Sequence, residues 1–329
     1  MMAPKRPIDA ELAALATLLP EIDLRDPEGA REIERTIIGE LRRSSRADDY
    51  ERIQLRRPDG SELSVALHRP SRPKATGGPI PVLVFLHGGG FIMGGLHTER
   101  ERCAQYAEAA KCAVVSVDYR LAPEARFPAA LEDCLAVLDW LGREADVHGF
   151  DRERVAIGGL SAGGALAAAT VLCLRDSREG VPQTPDLPLP GDGAFSVRLV
   201  LQMLLFPVLD ASMTTVSARE YTDTPILKAS MLPVMWHHYL GDRGEVPRWA
   251  SPSSAQNLTG CPPAFIAIAQ FDPLRDEGLH FAQRLLSAGV PVGLHLYSRT
   301  YHSFDTFHTT RMGQVARQHQ AEVLTAAFR

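Results

Sequence analysis

No Cys-x-x-Cys pair occurs in this chain, and its five cysteines, Cys103, Cys112, Cys134, Cys173 and Cys261, are an odd number. Cys103, Cys112, Cys134 and Cys173 sit in apolar or helical surroundings, where a free thiol behaves as a small hydrophobe. The pattern argues against a disulfide framework and against a zinc site, and it predicts a reducing, cytoplasmic compartment with no metal. An excess of positive charge is missing too: 35 Lys and Arg stand against 40 Asp and Glu, a net charge of −5. Neither nucleic acid nor an acidic membrane surface is therefore expected as a partner. Short basic pairs such as Arg42-Arg43 and Arg56-Arg57 read as solvated surface. No apolar run approaches membrane-spanning length; the longest, near 199–209, is interrupted by Gln202 and Pro207. The first ten residues carry charges and no apolar core of signal-peptide length, so a cytoplasmic protein without stable membrane association is expected. There is no internal repeat.

What is present is a large apolar fraction in a regular order. The chain is 329 residues long and 45% hydrophobic, enough to bury a sizeable core. Residues 8–45 read as two amphipathic helices separated by 20–28, with Leu12, Leu15, Leu18, Leu19, Ile33, Ile37 and Leu41 as their apolar stripes. Two alternating runs, 50–56 and 62–69, flank Pro58-Asp-Gly60 and predict a hairpin. Apolar strands at 82–86, 113–118, 154–158, 197–205, 264–270 and 292–297 then alternate with helices near 97–111, 128–145, 162–175 and 274–288, and a last helix starts at about 311. Continuous Val, Ile and Leu runs with helices between them predict a parallel sheet buried on both faces, in one α/β domain spanning 1–329. Residues 1–45 and 210–255 are surplus to that sheet and are the candidate cap. The segment 178–195, rich in Pro and Gly, reads as an exposed loop.

The chemistry concentrates in Gly159-Leu-Ser161-Ala-Gly163, a G-x-S-x-G sequence between an apolar strand and a helix rich in small residues. A serine on so sharp a turn has its hydroxyl thrust outward, and the flanking glycines let the backbone crowd there. The following helix aims free amides and a partial positive charge at an anion formed nearby. Serine is a weak nucleophile at neutral pH, so Ser161 needs a base and an acid to orient that base. Asp272 and His302 follow the last two strands, and ligands gather at such carboxyl ends. Their chain order, Ser then Asp then His, suits this turn type. Asp276 and Glu277 are rivals for the acid on the first helical turn; the strand end favours Asp272. His87-Gly88-Gly89-Gly90 also follows a strand. Its glycines permit positive φ, so the amides of Gly89 and Gly90, with that of Ala162, are the candidate oxyanion donors. His87 and Gly88 would support that loop. Asp118, Arg120 and Glu124 read as a structural polar network, Glu124 with a second reading as a carboxylate that steadies the glycine loop.

Taken together, His87-Gly-Gly-Gly-Phe91, Asp118-Tyr-Arg-Leu-Ala-Pro-Glu124, Phe127-Pro-Ala-Ala130, Gly159-Leu-Ser-Ala-Gly-Gly164, Phe206-Pro207, Asp272-Pro-Leu-Arg-Asp-Glu-Gly278 and Tyr301-His-Ser-Phe304 resemble the hormone-sensitive-lipase-like family of microbial carboxylesterases. The resemblance implies the α/β-hydrolase fold, with a mostly parallel sheet of about eight strands flanked by helices and a helical cap. It further implies a serine hydrolase of short-chain esters that needs no metal or cofactor, often a homodimer. Two positions depart from the family: Leu160 stands where an acidic residue is frequent, and Ser303 where glycine usually follows the histidine. Both leave the three candidate groups in place, so an effect on hydrogen bonding and rate is expected, with the reaction type unchanged.

Phe91, Tyr119, Leu209, Met213, Trp236 and Tyr239 are candidates to line a substrate pocket; Trp236 and Tyr239 share a helical face and read equally as cap packing. The expected activity is hydrolysis of short carboxylic esters through an acyl-enzyme on Ser161. A deacetylase, lactonase or amidase of related mechanism is the alternative. A non-catalytic receptor on the same scaffold would normally have lost the serine or the histidine, and both are here. Fold alone does not separate these readings.

Overall fold

Alternation along the apolar runs decides how the fold is layered. The computed structural model describes residues 6–42, 50–57, 59–71, 78–181 and 195–329. Successive side chains of a strand point to opposite faces. In β3 (Ile80–Leu86), Val82, Val84 and Leu86 accordingly enter one apolar core while Leu83 and Phe85 enter another. The first core lies under α4 (Ala129–His148), α5 (Ala162–Arg178) and α8 (Arg275–Ser287). The second lies under α3 (Arg100–Ala110) and α9 (Arg311–Ala327). Strands covered on both faces need no polar side, which is why they read as continuous apolar runs.

Among the described residues, eight strands form one sheet in the order β1-β2-β4-β3-β5-β6-β7-β8. The hairpin β1 (Glu51–Arg56) and β2 (Glu62–His68) is antiparallel and adds antiparallel to β4 (Ala113–Val117). Pro58 of its predicted turn lies outside the described residues. From β4 onward the pairing is parallel through β3, β5 (Phe150–Leu160), β6 (Leu199–Leu205), β7 (Ala264–Phe271) and β8 (Val292–Tyr301). The carboxyl ends of β3, β5 and β6 lie in register, Leu86 opposite Gly159 and Leu160 opposite Leu205. β7 and β8 run on together until Phe271 faces Tyr301. The residues that follow these five ends are His87, Ser161, Phe206, Asp272 and His302.

Three expectations need correction. The sheet is not buried on both faces throughout, because β8 is an edge strand with Leu294 and Leu296 exposed. Pro27 and Glu28 do not belong to the first linker: they open α2 (Pro27–Arg42), where proline suits the first turn because its missing N–H has no helical acceptor to meet. Leu18 is no part of a buried stripe; α1 (Ala10–Ala16) ends before it and it is 77% exposed, while Leu12 is fully buried. The side chain of Leu41 and the proline-rich stretch 182–193 lie outside the described residues. Between β6 and β7 the chain forms α6 (Ser217–Glu220), a 3-10 turn at Ala229–Met231 and α7 (Leu232–Leu240). This excursion meets the N-terminal segment through Arg6 to Asp223, Lys228 to Glu21, and a hydrogen bond between His238 Nε2 and the Leu24 carbonyl.

Candidate active site

The chain turns from β5 into α5 on a single residue, Ser161, whose φ of 56° and ψ of −114° are unusual for a side chain with a Cβ. The surroundings over-determine that strain. The Ser161 amide donates to the Leu205 carbonyl at 2.8 Å, and its carbonyl accepts from Ala165 N at 3.1 Å and Val208 N at 3.2 Å. Close approach on the other side requires glycine: a methyl group at Gly163 would stand 2.1 Å from the Leu86 oxygen and 2.5 Å from the His87 oxygen. With its backbone fixed in this way, Ser161 has only its side chain free to project.

Three of the predicted residues meet there. Ser161 Oγ lies 3.0 Å from His302 Nε2, and His302 Nδ1 lies 2.7 Å from Asp272 Oδ2. The carboxylate dictates the tautomer, with Nδ1–H donating to Asp272 and Nε2 left to accept from the serine hydroxyl. The second oxygen of Asp272 accepts from Leu274 N at 2.9 Å. All three are nearly closed off, with Ser161 6%, Asp272 1% and His302 3% exposed. Phe206 sets its ring edge against His302, centroids 6.2 Å apart at 73°.

The rival carboxylates lie elsewhere. Asp276 pairs with Arg275 and accepts from Ser217 N. Glu277 is buried and accepts from the amides of Leu209 and Asp210, which fixes the chain that leaves β6. Burial pushes the Glu277 carboxyl well above the ordinary range.

His302 sits on a loop tied to the opposite layer. Ser303 takes a left-handed φ of 54°, a conformation that costs a β-carbon residue about 1–3 kcal/mol, which explains the preference for glycine at this position among proteins that this chain resembles. Two residues on, buried Asp305 accepts from both terminal nitrogens of Arg102, at 2.8 and 3.1 Å, and from Gln320. Burial works to raise the Asp305 pKa, but the Arg102 guanidinium outweighs it and holds the carboxyl below its usual value. Arg102 in turn donates to Glu99 at 2.6 Å.

The glycine loop after β3 borders Ser161. Gly89 has φ +117° and Gly90 +61°, both open to glycine alone at little cost, and the Gly89 carbonyl is turned into its own bend by the amides of Ile92 and Met93. Ala162 opens α5, where the first amides have no carbonyl within the helix to bind. Gly88 packs beside Leu160: a methyl there would stand 3.3 Å from the leucine side chain, so Leu160 acts as an apolar wall for the loop. His87 is fully buried, its Nδ1 2.7 Å from the Gly88 carbonyl, and burial pushes its pKa down to about 4, so the ring stays neutral.

Most of the predicted pocket residues pack on one another. Tyr119 stacks under His87, with centroids 4.0 Å apart, and donates to the His87 carbonyl at 2.9 Å, propping up the loop. Phe91 stacks on Tyr239 at 3.9 Å, with Trp236 beside both. Leu209 is fully buried, and Met213 is partly buried against the same core. None of the six lines the nearby cavity of about 690 Å³, which runs between 16–37 and 223–234 and includes Leu19, Ile22, Leu24, Ile226, Met231 and Val234. Leu24 of that lining also lies beside the glycine loop: a methyl on Gly90 would stand 3.8 Å from Leu24 and 3.4 Å from Met235 of α7. Helical spacing marks a buried face without saying what covers it, which is why Trp236 and Tyr239 read equally as pocket and as cap packing. Arg120 binds Asp133 and Glu132, in keeping with a structural network. Glu277 was read only as a rival acid and Phe206 only within the Phe206-Pro207 motif, while Arg102 and Asp305 escaped the sequence reading.

A family model described as alpha/beta hydrolase fold matches residues 83–306. The esterase LipI of Mycobacterium tuberculosis is 38% identical over 226 residues, which cover 68% of this chain and 65% of LipI, just under two thirds of that relative. An ethyl acetate hydrolase of Pseudomonas putida is 32% identical over 306 residues, covering 92% of this chain and 88% of its own. Among solved structures, a bacterial heroin esterase superposes with a TM-score of 0.87 at 35% identity, covering 98% of both chains. The fold, the strand-end serine turn and these similarities agree: the chain belongs to the hormone-sensitive-lipase-like family of the α/β-hydrolase fold.

Proposed function

We propose that this protein is a serine carboxylesterase that hydrolyses short-chain esters. The observation that carries the reading is the pair of contacts linking Ser161 Oγ, His302 and Asp272, at 3.0 and 2.7 Å. In the proposed reaction Ser161 Oγ attacks the ester carbonyl while His302 Nε2 takes its proton, and Asp272 steadies the imidazolium. The carbonyl π pair becomes an oxyanion that the amides of Gly89, Gly90 and Ala162 receive. The alcohol leaves with the proton from His302. Water, activated by the same histidine, then attacks the acyl-enzyme, releasing the acid and restoring Ser161.

The segments 6–42 and 210–255 are proposed as the cap, since Leu24 and Met235 both reach Gly90. The cavity they enclose is the proposed cleft mouth, and the name of the P. putida relative supports a small acyl group. The free edge of β8, with Leu294 and Leu296 exposed, supports pairing with a second copy, which light scattering of the purified protein tests. No helix of the described residues is long and apolar enough to cross a membrane, and all five cysteines are buried with no disulfide between them, which supports a reducing compartment such as the cytoplasm.

The deciding experiment is hydrolysis of p-nitrophenyl esters from acetate to palmitate by wild type and Ser161→Ala. Turnover of acetate and butyrate that disappears in the variant is expected. Turnover that survives in Ser161→Ala, or a folded wild type inert to every ester, overturns the reading.

A further inference from the structure

The face of α2 toward the glycine loop carries two charged side chains three residues apart, Arg31 and Glu34, which helical geometry brings to one side. Arg31 Nε donates to the Ile92 carbonyl at 2.8 Å, and a terminal nitrogen donates to the Ala122 carbonyl at 2.9 Å. Glu34 Oε2 accepts from the Gly94 amide at 2.9 Å, and Oε1 lies 3.4 Å from Thr98 Oγ1. The cation thus takes a carbonyl, and the carboxylate takes an amide two residues farther along the same loop. Arg31 is itself fixed by a bidentate pair with Glu124, at 2.8 and 2.7 Å.

These bonds act where the loop has little slack. The Phe91 carbonyl is taken by Ala122 N and the Gly95 amide by Thr98 Oγ1. Gly94, with φ +106°, is wedged against the start of the loop: a methyl there would stand 2.2 Å from His87 Nδ1 and 2.6 Å from the Gly88 carbonyl. A shift of Gly94 therefore passes by direct contact to His87 and Gly88, and from there to Gly89 and Gly90.

We propose that Arg31 and Glu34 are positioning residues for the oxyanion, holding the glycine loop through Ile92 and Gly94, so that α2 belongs to the catalytic apparatus as well as to the cover. The proposal rests on the serine-esterase reading. Neither side chain reaches the reacting atoms. Their contribution is expected in the transition state, where the loop amides meet negative charge, and hardly in the ground state.

The test is steady-state kinetics on p-nitrophenyl butyrate with full-length Arg31→Ala, Glu34→Ala, the double variant and Glu34→Gln. Misplaced donors should lower kcat of the double variant by about 10- to 100-fold, with KM within about threefold. Glu34→Gln keeps an oxygen that can accept from Gly94, and should retain kcat within about threefold. Inhibition by an alkyl trifluoromethyl ketone gives a second readout. Ser161 Oγ adds to its carbonyl carbon, the π pair becomes the oxyanion and the serine proton passes to His302. Its affinity should fall by the same factor as kcat, while that of the non-fluorinated ketone stays unchanged. Unchanged kcat, a loss confined to KM, or an equal loss for both ketones overturns the proposal, because α2 would then only shape the cleft. Should the double variant fail to fold, Glu34→Ala beside Glu34→Gln decides, and equal kcat in those two is the contrary result. Wild type without turnover, or an active Ser161→Ala, would instead defeat the esterase reading itself.

Discussion

The turn at Ser161 and the two segments proposed as its cap differ in how they are held. Around the serine, main-chain hydrogen bonds to Leu205, Ala165 and Val208 and the close contact of Gly163 with Leu86 and His87 leave one arrangement open. The two proposed cap segments are joined to each other by pairs such as Arg6 to Asp223 and Lys228 to Glu21, in which the carboxylates are 57% and 89% exposed. Each such pair is screened by water and salt and contributes about 0–1 kcal/mol. A buried, sterically exclusive turn leaves Ser161 one arrangement, while the exposed pairs between the two cap segments can be lost at little cost. Arg31 and Glu34 bond the proposed cap to the glycine loop, which is why their removal is informative.

The largest effect expected on the rigid side is from Asp272→Asn. It leaves the geometry nearly intact but frees the histidine to take the wrong tautomer, and should lower kcat by about 10⁴-fold. A variant within tenfold of wild type in the same p-nitrophenyl acetate assay would remove Asp272 from the constellation. Next comes Asp305→Asn, which deprives buried Arg102 of one of its two ion-pair partners, behind the His302 loop. Breaking such a pair typically costs about 3–5 kcal/mol, readable in urea unfolding; a change under about 1 kcal/mol would mean that Glu99 alone suffices for Arg102.

A smaller effect separates the two regions by pH. The Glu277 carboxyl has its pKa raised by burial above the ordinary 4.5, so the folded chain keeps a proton that the unfolded chain has lost above that pH. Its contribution is fully present below about pH 4.5 and declines as pH rises toward the folded value. Glu277→Gln lacks this slope, so its Tm relative to wild type should climb between pH 5 and 8. A relative Tm that falls with pH would show that the two amides stabilise the charged form instead. The smallest effect belongs to the cover: Lys228→Ala should change stability by no more than about 1 kcal/mol and leave kcat unaltered. Loss of several kcal/mol would show that the cover is fastened as firmly as the turn.

Much of this could be read from the residues themselves. Ser161, Asp272 and His302 each follow an apolar run, and strands of a parallel sheet deliver the residues after them to one edge. The hairpin was legible in its alternation, and α2 in its periodicity, although its start at Pro27 was not. The pocket was left open between two readings, because a Phe, Tyr or Trp on a buried face gives the same pattern whether it meets a substrate or another ring. Phe91 and Tyr239 meet each other.

What the sequence alone determined is the set of local conditions: where strands stop, where only glycine fits, and that a serine, an aspartate and a histidine follow those stops. Local sterics and periodicity act within a few residues, so they are written in neighbouring letters. Only the tertiary structure decided that Arg31 meets Ile92, 61 positions away, that Arg102 meets Asp305, 203 positions away, and that Leu24 and Met235 converge on Gly90. Such contacts arise when separate elements pack against one sheet, and nothing in the spacing of the residues along the chain encodes them.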